Sequence, residues 1–97
     1  MKIGAPREIF EGENRVAMTP DSALQLQKLG HSCLIESGAG KKAGFSDDAY
    51  AAAGVTVVPD AASVFTLADV VVKVRGPEKS EAEMLRKGQT LISFFWP

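Results

Sequence analysis

Val55-Thr56-Val57-Val58-Pro59-Asp60-Ala61-Ala62-Ser63-Val64-Phe65-Thr66-Leu67-Ala68-Asp69-Val70-Val71-Val72 contains a complete strand–helix–strand unit. Val55–Val58 is short and β-branched, and Val70–Val72 repeats that character. Between them Asp60 is placed to cap a brief helix through about Leu67, because a carboxylate there can accept from free amides of the first turn. Both strands are apolar along their whole length, which is how strands buried on two faces read. Such strands, joined through helices, form a parallel sheet with helices on either side.

The same alternation extends in both directions. Upstream, Ile3-Gly4-Ala5 reads as a first strand and Cys33-Leu34-Ile35 as a second. The helix between them has Thr19 as N-cap, Pro20 at its first position, Asp21 beside it and Gly30 as its stop. Ala23, Leu26 and Leu29 fall on one face of that helix. Ser46 caps the next helix, with Asp47 and Asp48 in the first turn, Phe45 and Tyr50 as a hydrophobic staple, and Gly54 at the end. Downstream, Ser80 and Glu83 form an S-x-x-E capping box opening a helix that ends at Arg86-Lys87 before Gly88. Leu91–Trp96 is the fifth strand. The reading is therefore α/β, a doubly wound, mainly parallel five-stranded sheet of Rossmann or flavodoxin-like type, with a flavodoxin-like strand order as the default. Residues 1–97 form one domain, expected to be a piece of a longer chain, because no covering helix follows Phe94-Phe95-Trp96-Pro97.

Composition excludes several classes. A formal net charge of -1 gives neither a nucleic-acid nor an acidic-membrane footprint. The longest apolar runs are about half the ~20 residues of a membrane span, and the amino terminus lacks the apolar core of a signal peptide. A single cysteine, Cys33, cannot form an internal disulfide and fits a reducing compartment. His31 is the only histidine, and with one cysteine it offers no metal-ligand spacing. It also follows Gly30 at the amino-end edge of the sheet, the wrong edge for chemistry.

Ligands of open α/β sheets bind at the carboxyl ends of the strands. Those ends carry Arg7, Glu8, Glu11, Glu13, Asn14 and Arg15, then Ser37–Lys42, then Lys73-Val74-Arg75, then Trp96. Lys73 directly follows three valines, so its ammonium needs an anion or an exit to water. Arg15 and Lys73 could together hold a small carboxylate, the arginine bidentately and the lysine as a point charge. The simpler arrangement has Lys73 reaching out to solvent and Arg15 paired with Glu11 or Glu13. Gly38-Ala39-Gly40-Lys41-Lys42-Ala43 satisfies G-x-G-x-x-A, with Asp60 20 residues past Gly40. A dinucleotide loop needs its helix to begin within the glycines. Here Ser46 starts the helix later and Asp60 serves as a cap, so a tight turn is expected.

Met1–Glu8, Glu13–Pro20, Glu36–Gly40, Ala53-Gly54-Val55 and Asp69–Val74 resemble, in register, the opening of the alanine dehydrogenase and NAD(P) transhydrogenase alpha-subunit family. In the dehydrogenases of that family a keto acid is bound through an arginine and a lysine matching Arg15 and Lys73, and the catalytic histidine ends the fifth strand. Trp96 holds that place here. An indole N–H is a donor only and cannot act as general acid or base. The ending Ser93-Phe94-Phe95-Trp96-Pro97 is similar instead to the transhydrogenase branch.

The resemblance implies an NAD(H)-binding alpha subunit of a proton-translocating enzyme, with NADP held on a partner domain or beta subunit. It implies a homodimer on the cytoplasmic side of the bacterial inner membrane, reaching the membrane only through other domains. The second domain would carry the nucleotide fingerprint, so these 97 residues supply no catalytic residue and no cofactor contact that can be named. Arg15 and Lys73 stand as cleft-facing candidates. An amino-acid dehydrogenase, resting on the same two residues, is the alternative enzyme; a non-catalytic flavodoxin-like binding module is the alternative of another class.

Overall fold

The computed structural model describes residues 1–95. Five strands, β1 (Lys2–Ala5), β2 (Ser32–Glu36), β3 (Thr56–Val58), β4 (Val70–Arg75) and β5 (Thr90–Phe95), alternate with four helices. These are α1 (Pro20–Lys28), α2 (Asp47–Ala52), α3 (Ala61–Leu67) and α4 (Lys79–Ala82). Every strand pairing is parallel, and the order across the sheet is β3-β2-β1-β4-β5. This corrects the flavodoxin-like expectation to the order of the first five strands of a Rossmann sheet. The chain winds outward from β1 through β2 to β3, and α3 then carries it back across the sheet to β4.

That path places helices on both faces. Ile3, Ala5, Cys33 and Ile35 pack with Ala23 of α1 and Tyr50 of α2. The alternate side chains meet α3: Leu34 and Val58 pack on Val64, and Val71 on Phe65 and Ala68. Gly4 sits beneath α3, where a Cβ would come within 2.9 Å of both Ala68 Cβ and Val64 Cγ1. The missing side chain lets helix and strand approach closely.

The local signals act as expected at most ends. Thr19, Ser46 and Asp60 each accept a hydrogen bond from a first-turn amide. Gly30 and Gly54 follow α1 and α2 with positive φ, and each opens a paired set of bonds back to the last turn. The Phe45 and Tyr50 rings meet edge-on at 6.3 Å, completing the staple. At the end of α3, Arg86 and Gln89 donate to the carbonyls of Phe65 and Ala68.

Three expectations change. The last helix is a single turn opened by Glu78 with Glu81 as its reciprocal partner, rather than by Ser80 and Glu83. Leu29 is the cap residue of α1, off its buried stripe, and is 74% exposed. Strand β4 continues through Arg75, so Lys73 lies inside a strand, one residue before buried Val74. No helix among the described residues is long and apolar enough to cross a membrane.

Candidate functional site

β1 and β4 are neighbours, yet their outgoing chains serve opposite faces of the sheet. The crevice at such a reversal is where open α/β sheets bind ligands. In this chain it is filled by charge.

Glu8, three residues beyond β1, turns back over the end of β4. Its Oε2 accepts the Val74 amide at 3.0 Å, and its Oε1 accepts the Arg75 amide at 3.1 Å and Lys73 Nζ at 3.2 Å. Lys73 Nζ also lies 2.8 Å from Glu81 Oε2 on α4. Glu81 turns inward because its other oxygen accepts the Glu78 amide at 3.0 Å, closing the capping box. The three side chains are no more than 3% exposed. Two carboxylates thus share one ammonium in a dry site. The Glu81 contact is one of charge alone: Oε2 has no hydrogen-bond partner of proper geometry among the described residues. The same holds for buried Ser93 Oγ on β5, the residue in register with Lys73.

A second, wetter cluster stands beside it. Arg15 grips Glu13 through two parallel contacts of 2.8 Å, Nε to Oε2 and Nη2 to Oε1, and its amide adds a third at 2.9 Å. Arg75 Nε donates to Glu13 Oε1 at 2.8 Å while its guanidinium lies 4.4 Å over the Phe10 ring. The Arg15 side chain is 54% exposed, and the Glu13 carboxylate it covers is 3% exposed. The side-chain and backbone bonds from Arg15, helped by Arg75, hold the Glu13 carboxyl far below the usual carboxylate range. In return Glu13 raises the Arg15 guanidinium.

Glu8 of the first cluster and Glu13 and Arg15 of the second line one cleft of about 850 Å³, whose walls are the Arg7–Arg15 loop and Gly38, Ala39, Lys41 and Lys42. Six cations stand in or directly behind it: Arg7, Arg15, Lys41, Lys42, Lys73 and Arg75. Six carboxylates oppose them: Glu8, Glu11, Glu13 and Glu81, with Glu36 on the Arg7 amide and Asp47 on the Gly38 amide, so the charges in and behind the cleft balance. Arg7, Lys41, Lys42 and Glu11 make no ion pair among the described residues.

The glycine loop closes on itself. The Gly38 amide donates to Asp47 Oδ1 at 2.9 Å and the Ser37 hydroxyl to Oδ2 at 2.6 Å, which holds the Asp47 carboxyl below its usual range. Lys41–Ala43 then forms a 3-10 turn before Ser46 opens α2. A carboxylate already occupies the amide that a pyrophosphate would use, and Asp60 caps α3 through the Ser63 amide. The loop is therefore a turn and no dinucleotide fingerprint.

Of the two residues singled out in the sequence, Arg15 pairs with Glu13, as the simpler arrangement had it. Lys73 does not reach water; its side chain is 1% exposed and ion-paired. Trp96 lies outside the described residues. His31 sits at the opposite edge, its Nδ1 3.4 Å from the terminal amine. Sequence reasoning placed Glu8 and Arg75 at the strand ends without a role for either, and missed Glu81. A lysine placed in an apolar strand demands an acid, and Glu8, on the loop leaving the adjacent strand, was the available signal for one of them. Among the described residues no group of three or more His, Cys, Asp or Glu could hold a metal ion.

The sequence model of the family described as "Alanine dehydrogenase/PNT, N-terminal domain" matches residues 4–97. The chain belongs to that family. This alanine dehydrogenase/PNT N-terminal domain is 81% identical, over all 97 residues, to the NAD(P) transhydrogenase subunit alpha of Cereibacter sphaeroides, of which it spans 18%. Its structure superposes on an L-alanine dehydrogenase with a TM-score of 0.92 at 40% identity, covering 98% of this chain and 26% of that one. A transhydrogenase from Sinorhizobium meliloti gives a TM-score of 0.89 at 32% identity, covering 96% and 27%. The domain is thus similar to oxidoreductases of both branches, and it spans between 18% and 27% of the length of each.

Proposed function

We propose that this domain is the first of two in the NAD(H)-binding alpha subunit of a proton-translocating NAD(P) transhydrogenase. The observation that carries the reading is the 81% identity with a transhydrogenase alpha subunit along the whole chain, twice the identity with the alanine dehydrogenase. In this reading hydride passes between NADH and an NADP held by a partner domain or beta subunit, and the transfer is coupled to proton movement across the membrane. The alpha subunit pairs as a homodimer on the cytoplasmic face, and its second domain carries the nucleotide fingerprint that the Gly38–Ala43 loop lacks.

The role of this domain is to form one wall of the cleft. NAD(H) supplies a hydride-accepting or hydride-donating ring when bound, and the residues here orient and enclose rather than react. Arg15 faces the cleft; Lys73 stands behind it and fixes Glu8, which lines it. Both are proposed as cleft-positioning residues. Neither is arranged to carry a proton to a substrate: the guanidinium stays charged, and the ammonium is buried between two carboxylates. That suits a reaction in which only hydride moves.

Retention of both Arg15 and Lys73 favours the amino-acid dehydrogenase as the second reading. One comparison separates them. The longer protein, assayed with its NADP-binding partner, is expected to reduce an NAD analogue with NADPH and to show no pyruvate- and ammonia-dependent oxidation of NADH. The reverse pattern refutes the transhydrogenase assignment.

A further inference from the structure

The tip of the loop between β1 and α1 is a tight turn. The Glu13 amide donates to the Phe10 carbonyl at 3.0 Å, and Gly12 takes a φ of 86° at the third position, where a positive value favours glycine. The turn brings its first and last residues, Phe10 and Glu13, to the same guanidinium. Arg75 Nε donates to Glu13 Oε1 at 2.8 Å, and the guanidinium lies 4.4 Å over the Phe10 ring. At the root of the loop Glu8 accepts the Arg75 amide at 3.1 Å. One residue of β4 therefore holds the root through its backbone and the tip through its side chain. From this double attachment we infer that the Phe10–Glu13 turn is a lid on the cleft and that Arg75 is the latch that holds it down.

Root and tip are held with unequal strength. Glu8 is buried and takes three donors, Lys73 Nζ and the Val74 and Arg75 amides, so releasing it would strand all three. The tip receives from the sheet an ion pair and a ring contact, both made by a side chain that is 39% exposed. Contacts of that kind are weak in water. The Arg15–Glu13 bonds join residues two apart and travel with the turn, whereas the Arg75–Glu13 bond spans 62 residues and ties the turn to β4. The turn can thus lift while the root stays. What lifts carries apolar side chains: Ile9 and Phe10, 43% and 46% exposed, line the cleft with Glu11, Gly12 and Glu13. Lowered, they are part of its wall; raised, they leave it wider and admit or release a ligand. Arg75 is a positioning residue here, since it acts through Phe10 and Glu13 and touches no reacting atom. That the ligand so gated is a nicotinamide dinucleotide rests on the function proposed above.

The test uses the longer protein and two readouts. Glutamyl endopeptidase cuts after Glu11 and Glu13 only in the raised turn, at a rate that tracks the raised population. Cutting after Glu83, exposed at the end of α4, is the reference. Arg75→Gln removes the ion pair and the ring contact together. It should speed cutting in the turn roughly three- to thirtyfold over the reference, the combined scale of two such contacts. Arg75→Lys keeps a cation and should restore most of the wild-type rate. Phe10→Leu changes a half-exposed ring, leaves Glu13 paired, and should give a smaller rise. In stopped-flow binding of NADH, Arg75→Gln should raise the association and dissociation rates together, as unlatching a gate does. Loss of a ligand contact would raise the dissociation rate alone. Unchanged cutting of the turn in Arg75→Gln, an equal rise after Glu83, or NADH rates that stay fixed or move in dissociation only overturn the inference. Wild-type protein that does not bind NADH refutes the transhydrogenase reading, and the cutting rates by themselves then decide the latch.

Discussion

Replacing Lys73 by methionine keeps the volume of the side chain but leaves Glu8 and Glu81 facing one another without a cation. The ammonium lies 3.2 Å from one carboxylate and 2.8 Å from the other. At an effective dielectric constant of about 20, the contacts are worth about 5 and about 6 kcal/mol in gross Coulomb energy. Much of that offsets the cost of taking the charges out of water, so the net loss follows measured buried pairs, about 3–5 kcal/mol for removal of one partner. For a domain of this size 1 kcal/mol moves the melting temperature by roughly 4–8 °C. Lys73→Met is therefore expected to melt at least ~12 °C lower, or not to fold where total stability is at the low end of about 5–15 kcal/mol. Glu8→Ala should cost at least as much, because besides its contact with Lys73 it strips the Val74 and Arg75 amides of their acceptor, at about 1–3 kcal/mol for each. Glu81→Ala should cost least of the three, since it removes the surplus carboxylate and leaves Glu8 and Lys73 balanced. Circular dichroism melts of the three variants give the order. A Lys73→Met protein within 3 °C of wild type, or Glu81→Ala as damaging as Glu8→Ala, would refute the account of a shared ammonium.

Four further outcomes are expected. Gly40→Ala would drive a methyl to within 2.5 Å of the Tyr50 ring and 2.9 Å of the Phe45 carbonyl, costing about 1–3 kcal/mol in urea unfolding. Asp47 has its carboxyl depressed below the ordinary 3.8, so its contribution is present above that pH and is lost as the pH falls through the lower folded value. Asp47→Asn should accordingly flatten the acid side of the stability–pH curve while lowering stability near neutrality. Calorimetry of the 97-residue chain with NADH should show binding no tighter than millimolar, and a micromolar constant would mean that the Gly38 loop has been misjudged. Ile92 and Phe94 are 46% and 59% exposed on the sheet face opposite α3, so this chain should self-associate in sedimentation, and Ile92→Thr/Phe94→Thr should reduce it.

The elements were legible where one residue fixes a backbone event. Thr19, Ser46 and Asp60 each offer a side-chain oxygen at the one position where it can meet a free amide, so the caps were found. The order of strands was not legible, because a wholly apolar strand is compatible with any neighbour; only the path of α3 decides it. The opening of α4 was misplaced for a related reason. Glu78 with Glu81 and Ser80 with Glu83 share the same spacing, and the choice is made where Glu81 both accepts the Glu78 amide and meets Lys73 on the preceding strand. The site itself was half legible. Lys73 announced itself as a cation in an apolar strand, and Arg15 had an acid two residues away. The partners of Lys73 lie 65 residues earlier, at Glu8, and on the next element, at Glu81, and no local pattern joins either to it. The comparison of Trp96 with a catalytic histidine rested on sequence alone.

The connection from Pro6 to Thr19 has no regular structure of its own; buried Met18 anchors its end, and ion pairs at Glu8 and Glu13 fasten its middle. On its inner side Glu8 is sealed against β4, where mobile ions do not penetrate. On its outer side Glu13 is held by Arg15, half in solvent, within reach of the ionic atmosphere. One wall of the cleft thus has two mechanical characters. Its base keeps its shape in any buffer, whereas its lip slackens as electrolyte rises, so the width of the opening becomes a property of the medium as much as of the fold.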